Sequence, residues 1–358
     1  MVYLLFLFQL YINYSFLQRY RPVQSFWKLL LISFPTIFWW CIIIGGQDHV
    51  GSDYENYLYF FKGGDLSYIY DRGEVFFAGF IDFCNNLGIV GQGVFFALAL
   101  IFVVILLYVI YAFWGSQYLW PFFFVFMTYS AVFNNQMNGI RQFFAVYLFT
   151  LGIVLLYRKK ILWSVIPFFL MTVTHGSSVV ILPCILFFYF FTVKGEWVLS
   201  RKVLCLMLLG ALILALSVPA DLFVRGLSYF EQYSYYEEVM EERGALQLIT
   251  KIVYIPLLLY AILLFPKFDL SKKRRSLFCI GVMAFAIYFA FSGMSIVGRI
   301  GYYFQILMCI PLIELLMYLY MQRKRSAMCV VLLYLLIPYS LKVTLFAVAE
   351  YTYQSVFL

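Results

Sequence analysis

The sequence predicts an all-α, polytopic membrane protein with about twelve transmembrane helices. Its 358 residues are 65% hydrophobic and 12% charged, about half the charge of a soluble domain. Apolar runs near the ~20 residues that a bilayer demands recur along the chain. Basic residues gather in alternate loops between them, as the positive-inside rule requires, with the 115–117 loop neutral. One integral membrane domain over residues 1–358 accounts for the chain, with no soluble domain set apart.

Residues 2–17 form the first run. They lack a basic leader and a small-residue cleavage site, so a retained helix is expected in place of a signal peptide. The other runs are 26–45, 92–114, 118–133, 139–157, 161–174, 177–193, 203–219, 247–265, 277–292, 300–320 and 327–346. The sixth and seventh meet at Thr174-His175-Gly176-Ser177-Ser178, whose glycine and serines suit a tight turn. Glu74 to Cys84 is apolar at helical spacing but too short to span. It predicts an interfacial or re-entrant helix.

One set of loops carries Arg19, Arg21, Lys28, Arg158, Lys159, Lys160, Lys194, Arg201, Lys202, Lys267, Lys272, Lys273, Arg274, Arg275, Arg323, Lys324 and Arg325. That is 17 of the 25 basic residues. This set belongs in the cytoplasm. The loops at 46–91, 134–140, around His175, 220–246 and 293–299 then face outward, as do both termini. The two long outward loops, 46–91 and 220–246, hold 13 of the 17 acids and are expected to contribute to the site. The net charge of +8 reflects the cytoplasmic loops rather than a nucleic-acid partner. Seven cysteines are scattered singly, so neither a zinc site nor a disulfide framework is suggested. Two histidines with no acid at ligand spacing predict no metal and no cofactor.

The outward loops gather nearly every residue with chemical potential. Asn134-Asn135-Gln136-Met137-Asn138-Gly139-Ile140-Arg141-Gln142 is a polar run that opens a long apolar helix on an arginine, and it is expected to line a cavity. Arg141 and Arg299 stand at helix mouths. They read either as a diphosphate clamp, because guanidinium matches phosphate oxygens in pairs, or as snorkelling side chains. Asp53 reads as a general base or as a surface turn with a helix N-cap. Glu74 reads as a base or sugar ligand, or as the local partner of Arg72. His175 reads as an assisting donor, or as an interhelical hydrogen bond. Tyr229, Phe230, Tyr233, Tyr235 and Tyr236 make the 220–246 loop aromatic, suited to sugar faces or to the headgroup belt.

Together these stretches resemble the EpsG family of Wzy-type polysaccharide polymerases. The matching pieces are Gly51-x-Asp53-Tyr54-x-x-Tyr57, then Glu74, then Gly139-Ile140-Arg141-Gln142-x-x-Ala145. His175 with Ser177 follows, and Arg299 with Tyr302-Tyr303 comes last. Where the family often has an arginine before the Gly-x-Asp-Tyr piece, this chain has Gln47, Asp48 and His49.

The resemblance implies a GT-C-like glycosyltransferase of the bacterial cytoplasmic (inner) membrane, acting on its outer face without a metal. It would move a glycan from undecaprenyl diphosphate to a hydroxyl of the next lipid-linked repeat unit, making O-antigen, capsule or exopolysaccharide. Its partners would be the lipid-linked oligosaccharide and glycan, the bilayer, a flippase and a chain-length regulator. Under this reading Asp53, Glu74 and His175 are catalytic, and Arg141, Arg299 and Gln142 bind the diphosphate. Tyr54, Arg72, Tyr233, Arg243, Tyr302 and Tyr303 bind or support the glycan. The alternatives are a GT-C-like ligase or single-sugar transferase. A lipid-linked oligosaccharide flippase would place charges along a path to both sides, often with repeats, whereas here they cluster outside.

Overall fold

The computed structural model describes residues 1–17, 23, 25–195, 197–217, 250–291 and 295–357. Among these the chain is built from helices and short turns. Two compact units emerge, one of residues 1–189 and 319–358, the other of residues 190–318.

In the first unit, α1 (Val2–Leu17) packs on α8 (Leu119–Tyr129). Next come α2 (Phe26–Ile32) and α3 (Phe34–Trp40), extended by a wide turn over Cys41–Gly45. The expected span at 26–45 is therefore bent by 64°. The bend falls at Ser33, where Pro35 in the first turn of α3 withholds an N–H and resets the helix. After the bend, α7 (Gln92–Phe113) packs against residues 41–45, where a Cβ on Gly45 would strike Phe96.

The run at 118–133 is also broken. α8 ends at Tyr129, Ala131 takes a left-handed φ of 62°, and α9 (Val132–Asn135) follows. Ser130 supports the break, donating to the Phe126 carbonyl at 2.6 Å and accepting from Val132 N at 3.1 Å. α10 (Ile140–Tyr157) is the most enclosed of the candidate spans among the described residues, with 83% of its apolar window buried. It packs on α11 (Ile161–Thr172) at Gly152, where any Cβ would meet the Phe168 ring. A 3-10 turn (Gly176–Ile181) leads into α12 (Leu182–Tyr189).

The loop at 46–91 holds three helices: α4 (Tyr54–Phe61), α5 (Ser67–Asp71) and α6 (Val75–Asn86). The last is the expected short helix, at 12 residues.

The second unit contains α13 (Arg201–Ser217), α14 (Ile255–Leu264), α15 (Lys272–Ala290), α16 (Ser295–Tyr302) and most of α17 (Ile310–Met321). Ser271 caps α15 by accepting from Arg274 N. Arg274 then forks onto Glu314 with bonds of 3.2 and 2.6 Å, which supplies the partner that buried Glu314 requires. α18 (Arg325–Thr344) returns to the first unit and packs on α8.

Among the described residues, four segments are long and apolar enough to cross a bilayer: Gln92–Phe113, Ile140–Tyr157, Thr250–Lys267 and Arg325–Thr344. The bent pair at 26–45 makes five. Shorter apolar helices cover Val2–Ser15, Ile161–Thr172, Gly176–Tyr189 and Leu307–Met321. Apolar side chains stand in the open, among them Trp27 (75%), Leu31 (76%) and Leu162 (85%). Water would penalise those faces and lipid would not.

A candidate anion and proton-transfer site

Three elements of the first unit converge on one carboxylate. Glu74 stands at the N-terminus of α6 yet makes no capping bond with its side chain. It turns inward and is 1% exposed. Its Oε2 accepts from Arg141 Nη1 at 2.6 Å, and its Oε1 faces His175 Nδ1 at 2.9 Å. Gly176 N adds a longer contact to Oε1 at 3.4 Å.

The local chain explains why these groups meet. Arg141 sits in the first turn of α10, just after Gly139. His175 follows the end of α11 in extended backbone, its φ at −150°. The start of α6 is tied to the same corner, since Phe76 N donates to the Val173 carbonyl at 2.9 Å.

Burial alone would raise the Glu74 carboxyl. The His175 hydrogen bond, then the charge of Arg141, outweigh burial and hold it below the usual carboxylate range. Glu74 is thus an ion with both oxygens engaged. An ionised carboxylate only accepts, so His175 Nδ1 carries the proton facing it. In the neutral imidazole the lone pair then lies on Nε2. Arg141 commits Nη1 to Glu74, and a guanidinium has five N–H donors. Its remaining edge suits phosphate oxygens.

A second layer fixes Arg141. Arg141 N donates to the Tyr57 hydroxyl at 3.4 Å. Tyr57 lies four residues after Asp53 on α4 and is buried at 4% exposure. Burial pushes its phenol up, and nearby Arg141 opposes this. Asp53 occupies the N-cap position of α4 without a side-chain cap bond. That cap comes from Asn138, whose Oδ1 accepts from Asp53 N at 3.0 Å and from Ser52 Oγ at 3.3 Å. Gly51 makes the approach possible with a φ of +81°, and a Cβ there would overlap Asn138.

The polar run 134–139 is a packed junction, and this corrects its reading as cavity lining. Gln136 donates to the Phe133 carbonyl and accepts from Tyr147 OH at 2.8 Å. Asn134 and Asn135 each accept from a tyrosine of the C-terminal segment, Tyr339 and Tyr351. Gln354 O accepts from Asp48 N, and Val356 N donates to Gly46 O, so residues 354–356 also border the loop at 46–91.

The remaining expected residues fall as follows. Arg72 does not pair with Glu74; it donates to Tyr68 OH at 2.7 Å. Tyr54 is buried against Phe95 and donates to Gln92 Oε1, a supporting role. Gln142 is buried beside Arg141. Arg299 is exposed on α16, and Tyr302 and buried Tyr303 follow it, all in the second unit. Tyr233 and Arg243 lie outside the described residues. The sequence assigns no role to Tyr57, although the i, i+4 spacing of Asp53 and Tyr57 puts both on one helix face. Among the described residues no three His, Cys, Asp or Glu side chains gather to hold a metal ion.

A family model, that of the EpsG family, matches residues 27–355. No curated protein and no solved structure matches the chain.

Proposed function

The chain belongs to the EpsG family, and from that premise we propose that it polymerises lipid-linked glycan repeat units on the outer face of the bacterial cytoplasmic membrane. The observation that carries the chemistry is one buried carboxylate holding an arginine and a histidine. Donor and acceptor are both carried on undecaprenyl diphosphate. In the reaction, an acceptor hydroxyl oxygen bonds to the anomeric carbon of the donor glycan. The bond from that carbon to the diphosphate oxygen breaks, and the diphosphate leaves with the electron pair. The hydroxyl proton passes to a base.

Arg141 takes the charge that builds on the diphosphate, a role in which fixed donors can replace a metal. His175 Nε2 takes the proton. Glu74 is the positioning residue. It fixes the imidazole tautomer and aims the guanidinium, as a buried carboxylate does beside a catalytic histidine. Asp53 is the alternative proton acceptor, set one helical turn from Tyr57. Arg299 serves the diphosphate of a second lipid, and the aromatic 220–246 loop guides the glycan. The twelve apolar runs cross the membrane in a GT-C-like arrangement, with the broken runs at 26–45 and 118–133 framing the outer mouth.

The test is an in vitro reaction of purified protein with lipid-linked repeat units from a strain that lacks it. A ladder of glycans is expected, in the presence of chelator. A product one sugar longer would mark a single-sugar transferase. Abundant, folded protein that yields no new glycosidic bond would defeat the reading.

A further inference from the structure

A second feature adjoins the buried centre and is exposed. α5 ends on Arg72, whose Nη1 donates to Tyr68 OH at 2.7 Å and whose guanidinium lies 5.4 Å from the Tyr68 ring centroid. Tyr68 is 54% exposed and Tyr70 is 42% exposed. Tyr70 OH donates to Asp82 Oδ2 at 2.6 Å, so hydrogen bonds hold both rings in place. This ledge is locked to the centre. Glu74 N donates to the Ile69 carbonyl at 3.2 Å, and a Cβ on Gly176 would lie 3.8 Å from the Arg72 carbonyl oxygen. The Tyr68 phenol lies within electrostatic reach of Arg141, and Arg72 within reach of Glu74.

The chemistry of the ledge selects its ligand. An apolar partner would leave the Arg72 guanidinium desolvated beside it. A free anion would meet the negative face of the Tyr68 ring. A sugar ring has an apolar C–H face and a fringe of hydroxyls that donate and accept. The exposed Tyr68 ring matches the face, and Arg72 and the Tyr68 hydroxyl match the fringe. Hydrogen-bonded rings lose little freedom on binding.

We propose that Tyr68 and Arg72 form the subsite for the sugar attached directly to the lipid diphosphate, with Arg141 holding the phosphates next to it. This rests on the polymerase reading above. Tyr68 supplies the stacking face. Arg72 fixes the ring and donates to a hydroxyl. Contact with the sugar at this place orients the anomeric carbon toward His175.

The experiment measures binding to protein in nanodiscs with two probes. One is undecaprenyl diphosphate. The other is the lipid-linked repeat unit extracted from a strain that lacks this protein. Wild type should bind the glycosylated lipid more tightly. Tyr68→Ala should weaken that binding about tenfold and leave the bare lipid within about twofold. Tyr68→Phe keeps the ring and should retain most of the preference. Loss of both probes alike would assign Tyr68 to Arg141 or to the headgroup belt, and would overturn the subsite. Retained preference in Tyr68→Ala would overturn it too, with the polymerase reading intact. Wild type that shows no preference would remove the polymerase reading and the subsite together.

Discussion

Arg141 and Glu74 are joined by a 2.6 Å bond across 67 residues of sequence. The carboxylate is 1% exposed and the guanidinium side chain 20% exposed. A charge at the mouth of a membrane helix is costly when isolated, and here its counter-charge comes from the N-terminus of the short helix α6. The pair is complete without substrate, yet it leaves guanidinium donors over. Such an arrangement aims Arg141 rather than consuming it.

Glu74→Gln should therefore damage stability as well as activity. It keeps the shape but leaves Arg141 without its counter-charge. Removing one partner of a buried pair costs about 3–5 kcal/mol. The lower end is expected, because part of Arg141 reaches solvent. Thermal unfolding in detergent reads the loss, and a glycan ladder assay reads the activity. Wild-type turnover in Glu74→Gln would remove Glu74 from the site.

Arg141→Lys separates charge from geometry. A lysine ammonium can still face Glu74, so abundance and unfolding should stay closer to wild type than in Arg141→Ala. It cannot bridge a carboxylate and a diphosphate in one plane. Turnover should fall about 100-fold or more, the scale seen when a preorganised donor is lost. Chains of normal length in cells carrying Arg141→Ala would sink the clamp.

His175→Asn keeps a side-chain donor near Glu74 and deletes the Nε2 base. A fall in turnover of about 10²–10⁴-fold is expected, with binding of undecaprenyl diphosphate little changed. Asp53→Asn run beside it discriminates the two proton acceptors. If Asp53→Asn abolishes turnover while His175→Asn keeps it, the proton goes to the aspartate.

The sequence legibility of this site was uneven for physical reasons. Charge alternation and apolar length put Asp53, Glu74, Arg141 and His175 in loops expected to share one side of the bilayer, because the bilayer imposes those patterns locally. The partner of each charge was not legible. Arg72 is two residues from Glu74, but the 2.7 Å bond from Arg72 goes to Tyr68 instead. Arg141, 67 residues away, takes the carboxylate. Hydropathy likewise found the runs at 26–45 and 118–133 but not their breaks. Pro35 and Ser130 act through single backbone bonds that a window average hides. The amides of 134–138 read as polar lining, and they are bound to tyrosines and to α4 by contacts that only folding creates.

Acid should act on this centre through Glu74. Its folded carboxyl titrates below the usual value. A depressed carboxyl stabilises the fold at pH above its unfolded value, about 4.3. That stability is lost as pH falls from there through the folded value. Wild type and Glu74→Gln should thus differ most in unfolding midpoint above pH 5 and converge as pH drops below about 4. A gap that persists unchanged at low pH would show that Glu74 contributes through packing rather than charge.

Gly51 and Asn138 offer a test of how α4 is held against α10. Gly51→Ala forces a side chain into a φ of +81° and into Asn138. The backbone term alone costs about 1–2 kcal/mol. Asn138→Ala removes the cap on Asp53 N, worth about 1 kcal/mol. The double variant loses the cap and keeps the backbone strain, and it relieves the overlap with Oδ1 and Cγ of Asn138 while the overlap with its Cβ stays. Its destabilisation should be smaller than the sum of the two single variants, a coupling expected between residues in contact. Strict additivity in thermal unfolding would mean that Gly51 and Asn138 do not touch. Activity should follow the same order, because the Gly51–Asp53 turn starts the helix that brings Tyr57 to Arg141.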